Sequence, residues 1–245
     1  MYILRDKLKK MTKKKIYYAP VPQNPCTAKE VFLPIKRYSS NFSEKSTFFT
    51  CPAWQHQTHD TFTVYASCKI HLQVTESDDI ISSNLSSEEL FKYVTLTSNW
   101  QEKNFTTLQI LTVFSHFFWT NEKNVWISVI PHPLTSLNNN FYHCGAWFNL
   151  SRWSRNINVG AIIVDRLKPI SIERGDPLFN IKFHTENQND KFELIQKEIS
   201  RNEIEDLEKR QSFLGSAISG GFDYTPIIFG SKEKTKCPFN FLWKK

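Results

Sequence analysis

Glycine is scarce in this chain, 7 of 245 residues, and methionine scarcer still at 2. So little glycine argues against a flexible or low-complexity protein. There is no Cys-x-x-Cys pair: the five cysteines, Cys26, Cys51, Cys68, Cys144 and Cys237, are odd in number and widely spaced. That spacing fits reduced thiols better than a disulfide framework, so the expected compartment is the cytoplasm. No apolar run approaches the ~20 residues that cross a bilayer, and the stretch before Arg5 is too short for a signal peptide. Internal repeats, a Gly-x-Ser-x-Gly elbow, a phosphate-cradling glycine loop and a dinucleotide fingerprint are all missing. The common hydrolase and nucleotide-enzyme signatures are thereby excluded.

What the chain has is aromatic side chains: 20 Phe, 8 Tyr and 7 Trp. Such residues favour pleated, half-buried surfaces, and a chain this long buries enough of its surface to fold without metal or disulfide. The net charge of +7 looks like a nucleic-acid signal until its distribution is read. Residues 1–15 hold Arg5, Lys7, Lys9, Lys10, Lys13, Lys14 and Lys15 against the single acid Asp6, a net +6. The other residues carry 24 basic and 23 acidic side chains, so the folded body is nearly neutral. The first 15 residues are expected to form a basic flexible tail, able to touch phosphates weakly and in a salt-sensitive way. Met11 opens Met-Thr-Lys-Lys-Lys-Ile-Tyr, a plausible translation start that would leave residues 1–10 without functional weight.

Residues 16–245 read as one β-rich domain. Pro20, Pro22, Pro25 and Pro34 point to an irregular segment wrapped over the body. From Thr61 to Val74, seven apolar positions (Phe62, Val64, Ala66, Cys68, Ile70, Leu72, Val74) recur at a period of two, the pattern of a strand with one buried face. Ser86 with Glu89 three residues on predicts a capping box opening a short helix. Leu108–Trp119, Val125–Ile130 and Asn158–Val164 read as further strands, the first on residue type. Between the last two, residues 131–157 form a long polar and aromatic loop, a place where function often sits. Pro169–Glu173, the turn Arg174-Gly175-Asp176-Pro177 and Leu178–His184 read as a hairpin. Phe192, Ile195 and Ile199 at helical spacing predict an amphipathic helix over about 190–213. The expected fold is mainly β: an antiparallel, jelly-roll-like sandwich with that C-terminal helix.

Two sets of residues carry candidate chemistry. Trp147 and Trp153, with Arg152 and Arg155 beside them, could form a contact surface in the 138–155 loop, because aromatic faces stack on sugars, bases or protein side chains and guanidinium groups hold anions. The second set is His56-x-x-His59-Asp60 together with His184-x-Glu186. Two imidazoles and a carboxylate on a β-scaffold could hold Fe2+ in an open site. Against this, Phe179, Ile181 and Phe183 claim the buried face of their strand, which turns His184 outward beside Lys182. His143 next to Cys144 raises the question of a nucleophilic pair, but such pairs meet in space rather than in sequence.

Ile172-Glu173-Arg174-Gly175-Asp176-Pro177-Leu178-Phe179-Asn180-Ile181-Lys182-Phe183, with Cys51-Pro52-Ala53-Trp54 and Tyr18-Ala19-Pro20-Val21-Pro22, resembles uncharacterised proteins of tailed bacteriophages infecting marine bacteria. The likeness spans most of the chain through short motifs. It implies a phage origin, a β-sandwich, and a place in the host cytoplasm or on the virion among other phage or host proteins. The same hairpin resembles a strand signature of deoxyuridine-triphosphatase-type folds, whose glycine-rich and serine-bearing catalytic motifs are absent here. The expected function is thus a non-enzymatic binding or structural protein acting through the 138–155 loop. The alternatives are a non-haem iron-dependent oxygenase on a double-stranded β-helix and a carbohydrate- or nucleotide-binding module.

Overall fold

The computed structural model describes residues 12–20, 33–38, 51–75, 80–98, 106–110, 116–132, 139–157 and 159–209. The chain begins with β1 (Lys13–Pro20), β2 (Lys36–Arg37), α1 (Pro52–Thr58), β3 (Thr61–Tyr65), β4 (Ile70–Val74), β5 (Ile80–Ser83), α2 (Ser87–Tyr93) and β6 (Val94–Ser98). There follow β7 (Thr106–Ile110), β8 (His116–Trp119), β9 (Trp126–Pro131), β10 (Phe141–His143), β11 (Ala146–Asn149) and β12 (Arg155–Asn156). Last come β13 (Val159–Ile163), β14 (Ile170–Ile172), β15 (Pro177–His184), β16 (Lys191–Gln196) and α3 (Arg201–Lys209). The protein is mainly β. Its strands pair in the orders β12-β8-β1-β16, β10-β13-β7-β6, β11-β9-β15-β3-β2 and β14-β4-β5. Among the described residues all pairings are antiparallel except β1 with β16.

The two strongest period-two signals turn out to be one structure. The strand expected over Thr61–Val74 bends at residues 66–69 into β3 and β4, while the apolar phase holds: Phe62, Val64, Ala66, Ile70, Leu72 and Val74 are all buried. The expected hairpin is its partner, not a hairpin. β14 pairs with β4 and β15 with β3, so the segment runs antiparallel to the bent strand throughout. Arg174-Gly175-Asp176 forms the matching bend. Gly175 takes φ of +94°, a conformation that favours glycine, and its N–H donates to the Ala66 carbonyl at 2.8 Å. The Ala66 N–H donates to Asp176 O at 2.8 Å, the Asp176 carboxylate accepts from the Glu173 N–H, and the Arg174 guanidinium reaches Ser67 O at 2.7 Å.

α2 starts as expected. Ser86 Oγ accepts from the Glu89 N–H, and the Glu89 carboxylate accepts from the Ser86 N–H at 2.8 Å. Three other expectations need correction. The helix expected over 190–213 begins only at Arg201, because residues 191–196 form β16 and pair in parallel with β1; residues 210–213 lie outside the described residues. The basic tail is not free as far as residue 15. Lys13, Lys14 and Lys15 start β1, with Lys13 paired to Glu193 at 3.1 Å and Lys14 to Glu122 at 3.2 Å, while residues 1–11 lie outside the described residues. The long loop expected at 131–157 contains β10, β11 and β12. Of the strand expected over Leu108–Trp119, residues 111–115 lie outside the described residues, and β7 and β8 flank them.

The main core gathers apolar residues from all these sheets, with Phe118, Phe141, Phe179 and Phe183 among its largest fully buried side chains. β1 separates it from a smaller cluster. Ile16 and Tyr18 face the main core, whereas Tyr17 and Ala19 join Phe117, Trp119 and Ile204 of α3. Among the described residues, no helix is long and apolar enough to cross a membrane.

Candidate functional site

β15 is central in its sheet and buried on both faces. Its inner face carries Phe179, Ile181 and Phe183, and its outer face carries Asn180, Lys182 and His184. The outer face is therefore not the wet surface that alternation implied. α1 lies over it: the Lys182 ammonium donates to Gln57 O at 3.1 Å and Thr61 Oγ1 donates to the same carbonyl at 2.9 Å. Thr63 Oγ1 donates to Asn180 Oδ1 at 2.9 Å. Buried polar groups are stabilising only when bonded in this way. Burial pushes the Lys182 pKa below its ordinary value, and Asp60 opposes that.

The outer face continues onto β9 and β11, where Trp126, Ser128 and Trp147 stand. His184 lies opposite Trp126 in register, and its Nε2 is 2.8 Å from Ser128 Oγ, which fixes the imidazole. Trp147 is 57% exposed, and its ring lies 4.8 Å from that of Trp126 at an interplanar angle of 30°. Neighbouring residues on a strand face opposite ways, so Phe148 is buried in the core. Trp153 packs edge-on against Phe148 at 5.6 Å, and the Arg155 guanidinium lies 4.0 Å from the Trp153 ring centroid. Burial lowers the Arg155 pKa, and its Nε donates to Asn156 O at 3.0 Å. Trp147 and the Trp153–Arg155 stack thus lie on opposite sides of the sheet. Arg152 is exposed, and its backbone N–H is tied to Asn149.

The histidine–carboxylate set divides too. At the C-terminal end of β15, a pocket of about 250 Å³ is lined by His59, Asp60, Lys182, His184 and Asp190, among others. Asp60 is 6% exposed and sits at φ of +54°, which Asp tolerates better than most residues. Its carboxylate accepts from the Arg37 guanidinium at 2.5 Å, His59 Nδ1 lies 3.3 Å away, and Lys191 Nζ lies 3.9 Å away. Lys191 Nζ is also 2.9 Å from His59 Nε2. Glu186 is exposed on the β15–β16 connection and does not line the pocket. The side chain of His56 lies outside the described residues. Among the described residues, no three His, Cys, Asp or Glu side chains are placed to hold a metal. Asp60→Asn is expected to lower stability by about 1–3 kcal/mol, measured by urea unfolding, because Arg37 and Lys191 lose their shared anion.

His143 and Cys144 do not form a nucleophilic pair. Burial lowers the His143 pKa to about 4 and raises that of the Cys144 thiol, so both groups are neutral near pH 7. An activated thiolate needs the opposite.

Sequence reasoning missed Trp126. Its signal was present: Val125, Ile127 and Val129 set the buried phase of that strand, and Trp126 is a large apolar residue out of phase with them.

No family model matches the chain, and no curated protein matches it. Solved structures similar to it include a mutant dUTPase of Staphylococcus bacteriophage 80alpha and a mutant dUTPase of phage phi11 of S. aureus. Each is 7% identical with a TM-score of 0.31, the match covering 69% of this chain and 94% of that one. A likeness of that size decides neither fold nor activity.

Proposed function

We propose that this chain is a non-enzymatic binding protein, built as a jelly-roll-like sandwich, that docks a partner on the outer face around Trp147. Trp147 carries the reading. Among the described residues every Phe except Phe91 is buried, whereas this indole stands 57% exposed on a regular strand and beside a second tryptophan. Tryptophans placed in this way are the usual anchors of interfaces, because they give large contact area at low conformational cost. Arg152 is exposed in the turn that follows this strand. Trp153 and Arg155, which the sequence grouped with them, instead hold the strand end to the core. The bacteriophage resemblance makes a phage or host protein the partner, met in the host cytoplasm or on the virion. A sugar or base would stack on the same indole, so a carbohydrate or nucleotide module remains the second reading of this surface.

A photo-reactive phenylalanine analogue at position 147 is expected to give a covalent adduct with the partner in producing cells. The same group at Phe91, which is 93% exposed on α2, is the control. Adducts from position 91 and none from 147 would overturn the reading.

A further inference from the structure

We infer that the group recognised on the Trp147 face is a neutral saccharide, stacked on Trp147 and reaching with its hydroxyl groups into the pocket at the end of β15. The inference rests on the docking reading above and names the chemistry of what is docked.

The indole and the pocket belong to one surface. β11, β9 and β15 are successive strands of a single sheet. Trp147 stands on β11, its ring 4.8 Å from that of Trp126 on β9, and Trp126 lies opposite His184 on β15. His184 also lines the pocket, so it joins the two regions. Neighbouring strands lie about 4.8 Å apart, so the path from Trp147 to the pocket wall crosses roughly 10 Å. Two linked sugar rings span that distance, and a single small ion does not.

The aromatic end suits a sugar. One face of a pyranose ring presents C–H groups of slightly positive charge, which pack on the negative face of an indole. The Trp126 ring backs that of Trp147 at an interplanar angle of 30° and fixes its orientation, so little ordering is needed on binding.

The polar end suits hydroxyl groups. The pocket holds about 250 Å³, at the small end for ligand sites, which is room for one sugar ring. Gln57 and Gln188 line it and are exposed, and among the described residues neither side-chain amide has a hydrogen-bond partner. A primary amide both donates and accepts, as adjacent hydroxyl groups require. His184 is held by Ser128 and the Lys182 ammonium by Gln57 O, so these groups are fixed in advance.

Charge separates a saccharide from a ligand that carries phosphate. Lys182 is the one lysine or arginine among the lining residues, and its ammonium is already bonded at 3.1 Å. Asp60 and Asp190 both line the pocket. Two carboxylates repel a phosphate group but accept from a hydroxyl, so the pocket favours a neutral polyol over a nucleotide.

The test applies the full chain to an array of immobilised neutral, sialylated, sulfated and phosphorylated oligosaccharides. Neutral saccharides are expected to retain it, and titration with the retained saccharide should change tryptophan fluorescence along a saturable curve. Trp147→Ala is expected to weaken this binding tenfold or more, and Gln57→Ala combined with Gln188→Ala about tenfold. Both glutamines are exposed, so the double variant keeps the fold. An array on which no neutral saccharide retains the chain would overturn the inference. So would retention by charged saccharides alone, or affinity unaltered in the double variant. A blank array, with partner capture still lost in Trp147→Ala, removes the saccharide and leaves the docking surface standing. Capture indifferent to Trp147→Ala removes the docking surface itself.

Discussion

Replacing Phe183 with alanine is expected to remove about 3–5 kcal/mol of stability, enough to unfold a marginal domain. Phe183 is 2% exposed and sits where three elements meet. Its ring lies 5.9 Å from that of Phe62 on β3 and 5.7 Å from that of Phe192 on β16. Truncation leaves a cavity in a central strand paired on both sides, where the backbone has little room to collapse. The same substitution loosens the packing of β16, a strand that sequence periodicity assigned to a helix. Urea unfolding followed by circular dichroism measures the loss. A change below about 1 kcal/mol would mean that these aromatics do not form one core.

The second large effect is on pH. His143 is 3% exposed, packs 4.7 Å from the Phe179 ring, and has its pKa lowered to about 4 by burial. The unfolded chain keeps the ordinary value near 6.5, so between these limits the unfolded state binds more protons. Stability is then complete above about pH 6.5 and falls as the pH drops towards 4. A shift of this size corresponds to about 3 kcal/mol. Burial lowers the His132 pKa as well and adds a loss of the same sign. His143→Phe keeps a ring of similar size and removes the titration, so its stability curve is expected to be flatter over this range. Thermal melts of both proteins from pH 7.5 to pH 4 read the difference directly. Parallel curves would show that folding leaves the His143 pKa where it stands in the unfolded chain.

How far the sequence revealed this arrangement depends on the range of the interaction involved. Two local signals matched the structure. Alternation over 61–74 found the buried face of β3 and β4, and the Ser86–Glu89 pair found the start of α2. A second Ser-x-x-Glu, Ser200 with Glu203, forms the same reciprocal bonds and marks the true start of α3. The helical spacing of Phe192, Ile195 and Ile199 does not point to it. What overrode that spacing is the pairing of β16 with β1, about 178 residues away, which no local pattern encodes. β10, β11 and β12 are two to four residues long, too short for periodicity to register.

The candidate site failed in sequence for a related reason. Polar residues on alternate positions of β15 were read as solvated, whereas α1 covers Lys182 and turns the outer face into a pocket wall. His59, Asp60 and His184 were singled out and do line one pocket, with Lys182, which no metal-ligand pattern includes. Trp147 was identified and is exposed. Trp153 and Arg155 lie across the sheet, because the turn after β11 brings Trp153 against Phe148, the core-facing neighbour of Trp147.

The claim that the Trp126–Trp147 face is the working surface is tested most directly by quantitative affinity capture from producing cells, comparing the intact chain with Trp147→Ala. A partner held through this face should be lost by about tenfold or more, since a central indole is worth roughly 2 kcal/mol or more in an interface. The melting temperature should barely change, because the side chain is mostly outside the core. Equal capture by the two proteins, with the same partner at the same yield, would contradict the account.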